Sequence, residues 1–371
     1  MADRIVLRLV DAAKKAIDGL DAPTDFSEFL DRLGLLGLLA RIYPDPSRIP
    51  HLRAALLKNK MTVSVLVARA REIATALERR KVRHFFAKGI ALIGNVYRAG
   101  ERAVADIDLY VVPEDRERTI SILESLGFTA VPDEDQSGPP ELRSTIALLK
   151  NAGVDIDSVV VDLHWGLNPV QKLLPRSDHE VPDCFWGQLE RVSGISIPNT
   201  GQHAALLVHH LVGSDLLHVR SLVDLAYLYQ SFDDEHAAAF VNACQDLSVM
   251  RPARWLCEII VKDFGVSECS VGWPPGSEGD LYQKTNLDGW MARVARTPDR
   301  DFYEVTPARI MRRGALLGGL GSWFSLLSDV VLPPREFVAW RAPAAKLPAA
   351  YVTHYVKLVR KMVGGGQAQS P

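Results

Sequence analysis

Two aspartates separated by one residue lie within an otherwise apolar run from Ala105 to Val112, and they constrain the fold of this chain more than any other feature. Side chains alternate between the two faces of a β-strand, so Asp106 and Asp108 share one face and Ile107, Leu109 and Val111 occupy the other. Two carboxylates this close repel each other and resist full ionisation unless a cation neutralises them, and magnesium suits paired carboxylates. The pattern predicts a strand that carries a divalent-metal site. An exposed strand with two solvated aspartates is the alternative interpretation.

A glycine turn precedes this strand and predicts a place for a phosphate. Residues 84–88 are typical of a short strand, Gly89 ends it, and residues 90–97 fit a helix. A glycine that opens a helix lets an anion approach free backbone N–H groups at the positive end of the helix dipole. Lys88 and Arg102 add positive charge, so we expect Lys88, Gly89 and Arg102 to hold the phosphates of a nucleotide.

A third carboxylate follows on another apolar stretch. Residues 159–165 predict a buried strand, on which Asp162 and His164 share one face. Asp162 is the candidate for a third metal ligand or a catalytic base. His164, a further candidate for binding the cofactor, could orient Asp162 or the acceptor. One or two metal ions held by three carboxylates would stabilise the attacking and leaving oxygens of an in-line displacement. The three motifs together indicate phosphoryl or nucleotidyl transfer.

These motifs, in this order, resemble the bacterial nucleotidyltransferase-like family of the DNA polymerase beta nucleotidyltransferase superfamily. The resemblance implies a polymerase-beta-like α/β (α+β) core with a mixed sheet. It also implies transfer of a nucleoside monophosphate from a nucleoside triphosphate (NTP) to a hydroxyl of a small molecule or peptide, with Mg²⁺ as the cofactor. Where the superfamily usually has Gly-Gly or Gly-Ser in the phosphate loop, this chain has Gly89-Ile90. The residues that carry the resemblance are Lys88-Gly89, Tyr97, Gly100, Arg102, Asp106-Ile107-Asp108-Leu109 and Asp162-Leu163-His164-Trp165.

The hydrophobic pattern divides the chain into four predicted parts. Apolar residues recur at helical spacing in residues 1–80, which predicts an N-terminal helical segment. Strand and helix patterns then alternate in residues 81–198, which is typical of an α/β core and places the catalytic residues there. Residues 199–363 return to helical spacing and predict an all-helical domain, in which Thr200 is the expected cap of the first helix. Residues 364–371 have the composition of a disordered tail.

Charge and hydropathy limit the classes of partner. The chain has 371 residues, a formal net charge of −2 and a pI near 6.6, so it has no general attraction for nucleic acid or anionic membranes. It has no apolar run of the roughly 18 residues that a membrane span needs and no signal-peptide pattern, which predicts a cytoplasmic protein. The pattern does not indicate an oligomeric state.

Two other functions remain open from the sequence. The chain could be a non-catalytic adaptor that binds a nucleotide or peptide, although burying three acids without a function would be costly. It could also be a nucleotidyltransferase toxin that modifies transfer RNA, for which a local basic groove would have to compensate for the acidic balance of the whole chain.

Overall fold

A computed structural model gives the coordinates of the protein. It describes residues 2–20, 25–43, 45, 49–131, 145–150, 158–172, 179–214, 216, 218–267, 269, 271–273, 286–296, 307–341, 349–352 and 355–356. The predicted tail, residues 364–371, lies outside this part of the chain.

The N-terminal segment is helical, as predicted. It contains α1 (Ala2–Asp18), α2 (Phe26–Arg32), a 3₁₀ turn (Leu36–Arg41) and the long helix α3 (Pro50–Arg79). Proline at the first position of α3 needs no N–H partner there, which suits the start of a helix. Helix α3 buries an apolar face that begins at Leu52 and packs against the central sheet.

A five-stranded mixed sheet forms the centre of the molecule and confirms the predicted fold class. Its order is β1-β2-β5-β4-β3. Only the β2–β5 pair is parallel among the described pairings of this sheet, and the other three are antiparallel. The strands are β1 (His84–Ala87), β2 (Asp106–Val111), β3 (Thr129–Ala130), β4 (Thr145–Lys150) and β5 (Val159–His164).

Two helices connect the first strands. Helix α4 (Lys88–Ala91) follows β1, and a 3₁₀ turn (Pro113–Asp115) leads into α5 (Arg116–Ser125) after β2. The predicted helix over residues 90–97 is wrong, because the helix ends after one turn. Gly94 adopts a φ of 87° and donates its N–H to the carbonyl of Tyr97 at 2.9 Å, which closes a tight turn instead.

A second, two-stranded sheet, which the sequence patterns did not predict, follows the central sheet. After the short helix α6 (Cys184–Gly187), strands β6 (Leu189–Val192) and β7 (Ile195–Pro198) form a hairpin. Ser193 and Gly194 connect them with φ values of 52° and 86°, and two consecutive positive φ angles match the twist of a tight hairpin. Strand β7 packs against β1 and α3.

Helices dominate the rest of the described chain. The first of them, α7, has Asn199 as its N-cap rather than the predicted Thr200. The Asn199 side chain accepts a hydrogen bond from the N–H of Gln202 at 2.9 Å, and Gln202 accepts one from the N–H of Asn199 at 3.3 Å. The helices are α7 (Thr200–Gly213), α8 (Val219–Gln230), α9 (Asp234–Asp246), α10 (Met250–Phe264), α11 (Leu287–Arg296), α12 (Pro307–Leu317), α13 (Leu320–Val331) and α14 (Arg335–Arg341).

The first and last parts of the chain pack against each other. Helix α1 contacts α10 and α11, where Lys15 lies 3.0 Å from Asp288 and Arg8 donates to the carbonyl of Asp263 at 2.9 Å. The predicted domain limits at residues 80, 198 and 363 stay predictions. None of the helices within the described residues has the length and apolar character to cross a membrane.

Candidate active site

The register of the parallel strand pair brings two of the predicted acids together. Asp108 on β2 lies directly beside Asp162 on β5, and Tyr110 lies beside His164. Among the described residues, one ligand atom each from Asp108, Asp162 and His164 lies within 4.8 Å of the others, a spacing that could hold a metal ion. Asp106 lies on the same face of β2, two residues before Asp108.

Lys88 lies closest to this acidic group. Its Nζ is 2.5 Å from Oδ1 of Asp108, which is almost fully buried, while the Lys88 side chain keeps a fifth of its surface exposed. Burial lowers the pKa of Lys88, but the charges of Asp108, Tyr110 and Asp106 more than offset this, so the pKa lies above its ordinary value. The lysine stays charged and acts as the internal counter-ion of Asp108.

The three carboxylates differ in the proton affinity that their surroundings impose. Burial raises the pKa of Asp108, but the ammonium of Lys88 and the contact with His164 hold it well below the usual range. Burial, and then the charge of Asp108, raise the pKa of Asp106 and of Asp162 to about 6. One counter-ion therefore neutralises one acid, and the site keeps an excess of negative charge.

An aromatic stack sets the orientation of His164. Its ring stacks on that of Tyr110 with centroids 4.5 Å apart, and Tyr110 stacks on Phe85 at 4.8 Å. These residues are in-register neighbours on three adjacent strands. Nε2 of His164 lies 3.2 Å from Oδ1 of Asp108, and burial lowers the pKa of His164, so a neutral imidazole faces the carboxylate. This contact is with Asp108, and the expected roles of His164 in orienting Asp162 or the acceptor stay predictions.

Gly89 fits its position because another side chain occupies the adjacent space. A Cβ built on Gly89 would overlap Nη1 of Arg102 and lie 3.2 Å from Cγ1 of Val104. The close approach that requires glycine is therefore made by the guanidinium of Arg102. Helix α4 has four residues, too few for the helix dipole that the sequence analysis invoked at this turn.

Arg102 is buried and directed at a residue that the sequence analysis did not assign. Its Nε lies 2.9 Å from Oδ1 of Asp224, and its Nη2 lies 2.6 Å from Oδ2. Nη1 donates to the carbonyl of Ala103 at 3.2 Å. The predicted contact of Arg102 with triphosphate stays a prediction, while its donors here bind the protein.

Arg220 is a second residue that the sequence analysis missed. It lies partly buried near the start of α8 and donates to the carbonyl of Ala103 at 3.2 Å. Its positive charge reaches Asp106, whose pKa it lowers against the larger effects of burial and Asp108. No local pattern marks an arginine in the first turn of a helix as part of a site formed by strands far away in the sequence.

Histidines from α7 and the start of α8 line the side of the site near Lys88. The rings of His210 and His218 lie 4.7 Å apart, and His209 contacts the carbonyl of Asn168 at 2.9 Å. Burial and, to a smaller extent, the charge of Lys88 lower the pKa of all three, to about 4 for His209 and His218. This wall presents neutral imidazoles at neutral pH.

Comparison with known proteins gives one clear match. Residues 28–264, more than half of the chain, match a protein family described as uncharacterised nucleotidyltransferase. None of the curated proteins compared with the chain is significantly similar to it. The matched segment includes the sheet, the acidic group, Lys88 and helices α7 to α10.

Two solved structures match the chain at low identity. One is the solution structure of the antibiotic-resistance factor ANT(2'')-Ia, with 15% identity, a TM-score of 0.29, and coverage of 53% of this chain and 89% of that chain. The other is a protein from H. pylori described as a nucleotidyltransferase, with 15% identity, a TM-score of 0.30, and coverage of 65% and 94%.

Proposed function

The chain belongs to the family of uncharacterised nucleotidyltransferases, and from this premise we propose a magnesium-dependent reaction for it. The enzyme moves a nucleoside monophosphate from an NTP to a hydroxyl of a small molecule or peptide and releases pyrophosphate. The observation that carries the proposal is the convergence of Asp108, Asp162 and His164 within 4.8 Å, beside Asp106 and Lys88.

The donor set fits a hard divalent cation. Carboxylate oxygens from Asp106, Asp108 and Asp162 would hold Mg²⁺. Burial, and then negative charge that Lys88 alone does not neutralise, raise the pKa of Asp106 and Asp162. When bound, the ion would supply charge stabilisation at the phosphoryl oxygens and lower the pKa of the attacking hydroxyl. His164 is the softer ligand and serves better to orient Asp108 through its 3.2 Å contact.

Positive side chains at the edge of the acidic group would bind the triphosphate. Lys88 keeps part of its surface exposed and has a mobile ammonium that can donate to phosphate oxygens as well as to Asp108. Arg220, near Asp106, adds a second cation to this side of the site. Charge that develops on the leaving pyrophosphate would be stabilised by these groups.

Asp162 is the proposed proton acceptor. Before a cation binds, burial and then the charge of Asp108 raise its pKa to about 6, so it is ionised at neutral pH and is a stronger base than an ordinary aspartate. Its oxygen would take the proton of the acceptor hydroxyl while that hydroxyl oxygen forms a bond to the α-phosphorus. The bond between the α-phosphorus and the bridging oxygen breaks, and pyrophosphate leaves with the electron pair.

The test combines nucleotide binding with turnover. Incubation of the purified protein with Mg²⁺, each NTP and a set of hydroxyl-bearing acceptors should release pyrophosphate for one combination. Asp108→Asn should abolish the release and weaken Mg²⁺–NTP binding, whereas Glu117→Gln, a change at a side chain that is 81% exposed, should leave both unchanged. Binding and turnover that survive in Asp108→Asn would refute the proposed site.

A further inference from the structure

We propose that Asp224 positions the Lys88–Gly89 turn through Arg102, so that a residue of helix α8 determines how tightly the enzyme binds its nucleotide. The inference rests on the proposed function for its ligand, but the contacts that carry it do not depend on the reaction. Asp224 contacts none of the proposed reacting groups. It acts through the side chain of Arg102, which makes it a positioning residue.

Asp224 and Arg102 form a buried ion pair. Asp224 is fully buried, and Arg102 keeps about one-twentieth of its surface exposed. Two nitrogens of the guanidinium contact the two oxygens of the carboxylate, at 2.9 Å and 2.6 Å, which is the fork-like geometry of a strong, orientation-specific pair. Burial lowers the pKa of Arg102, but Asp224 raises it by more, so the arginine stays charged. The plane of the guanidinium is fixed by Asp224.

The guanidinium of Arg102 also lies against the Lys88–Gly89 turn. The remaining nitrogen, Nη1, lies against Gly89 so closely that a Cβ on Gly89 would overlap it. Lys88 has a φ of 51°, a left-handed conformation that costs free energy for a lysine and is held only when the surroundings impose it. The guanidinium, packed against Gly89 on one side, and the buried His203 of α7, near the backbone of Lys88 on the other, hold that conformation.

The ion pair of Arg102 and Asp224 is anchored to more than one element of the fold. The hydroxyl of Tyr97 donates to Oδ1 of Asp224 at 2.8 Å. Arg41 lies over the rings of Tyr97 and Tyr227, 5.2 Å and 4.6 Å from their centroids, and contacts Glu101 at 2.6 Å. The segment that leads into β2 and helix α8 therefore meet at one buried carboxylate, and the 3₁₀ turn before α3 packs on the tyrosine that donates to it. Loss of its charge should loosen the turn without moving β2 or β5.

Amide hydrogen exchange tests the positioning role without any ligand. In Asp224→Asn, the amides of residues 88–92 should exchange about tenfold faster, the factor expected when about 1.4 kcal/mol of local stabilisation is lost. Asp329→Asn is the matched control. Asp329 lies on α13, is also buried, and has its Oδ1 3.6 Å from Nζ of Lys172. It should leave exchange at residues 88–92 unchanged. Equal exchange at residues 88–92 in Asp224→Asn and wild type would overturn the proposal.

Nucleotide binding is the second readout. Asp224→Asn should weaken binding of Mg²⁺–NTP and raise KM for the NTP by about tenfold, while kcat and the affinity for Mn²⁺ measured without nucleotide change by less than about twofold. Tyr97→Phe, which keeps the ion pair and is the milder change if Asp224→Asn folds poorly, should raise KM by roughly two- to threefold. A fall in kcat with unchanged KM would overturn the positioning role.

The two proposals fail in different ways. A wild-type protein that binds no NTP refutes the proposed function, and the exchange measurement still decides whether Asp224 positions the turn. A wild-type protein that binds NTP, with an Asp224→Asn variant that binds it equally well, refutes the positioning role alone.

Discussion

Replacing Asp162 by asparagine tests the electrostatics of the site. Burial and the charge of Asp108 raise the pKa of Asp162 from 3.8 to about 6. Between these values the folded protein binds more protons at this carboxyl than the unfolded chain does, so the contribution of the carboxyl to stability falls as the pH rises. Ionised Asp162 therefore destabilises the metal-free fold at neutral pH, and an amide of the same shape removes that cost.

The size of the effect follows from the two pKa values. The difference between 3.8 and about 6 corresponds to about 3 kcal/mol once both the folded and unfolded forms are ionised. At about pH 5 the folded form is still mostly protonated, and the cost is roughly 1.6 kcal/mol. We expect Asp162→Asn to raise the free energy of unfolding of the metal-free protein by about 3 kcal/mol near pH 7.5 and by about half of that near pH 5.

Urea unfolding in the presence of a chelator measures both values, with Glu117→Gln as the exposed control. Addition of Mg²⁺ should reverse the order of stability. The wild type should gain about 4.1 kcal/mol at a free Mg²⁺ concentration about 1,000 times its dissociation constant, which exceeds the advantage of about 3 kcal/mol for the variant, and Asp162→Asn should gain much less. A stability difference that is the same at both pH values, or an equal response of the two proteins to Mg²⁺, would refute the reasoning.

Two further substitutions test the turn and its lysine. Gly89→Ala should lower the free energy of unfolding by about 1–3 kcal/mol because its Cβ would overlap Arg102, whereas Gly187→Ala, with nothing within 4 Å of its Cβ, is the control and should change it little. Lys88→Met should destabilise the metal-free protein by about 3–5 kcal/mol because it leaves the buried carboxylate of Asp108 without its ammonium. Unfolding titrations with and without Mg²⁺ measure the second effect, which Mg²⁺ should largely reverse; an equal loss under both conditions would contradict it.

The sequence predicted the centre of the fold because its strongest patterns are local. The alternation around Asp106 and Asp108 fixed one face of β2, and the same argument for residues 159–165 placed Asp162 and His164 on one face of β5. The fold class and the nucleotidyltransferase family are confirmed by the sheet and by the match over residues 28–264. The catalytic roles of the individual residues stay predictions.

What the sequence did not predict depends on contacts between distant segments. The pairing of Arg102 with Asp224 joins residues that are 122 positions apart, and no local spacing indicates it. The expected helix over residues 90–97 had suitable apolar spacing, but the left-handed conformation of Gly94 ends it early. The hairpin of β6 and β7 could have been found from Ser193-Gly194, a two-residue turn between apolar stretches.

The parallel pairing of β2 and β5 ties assembly of the proposed metal site to the folding of the sheet. Had β5 paired one position out of step, Asp162 and His164 would point through the sheet, and Val161 or Leu163 would face Asp108 instead. A chain with these strands out of step would keep only Asp106 and Asp108, because an aliphatic side chain would take the place of Asp162, and it would bind a divalent ion more weakly. The appearance of divalent-ion affinity during refolding should therefore report the moment at which these two strands align.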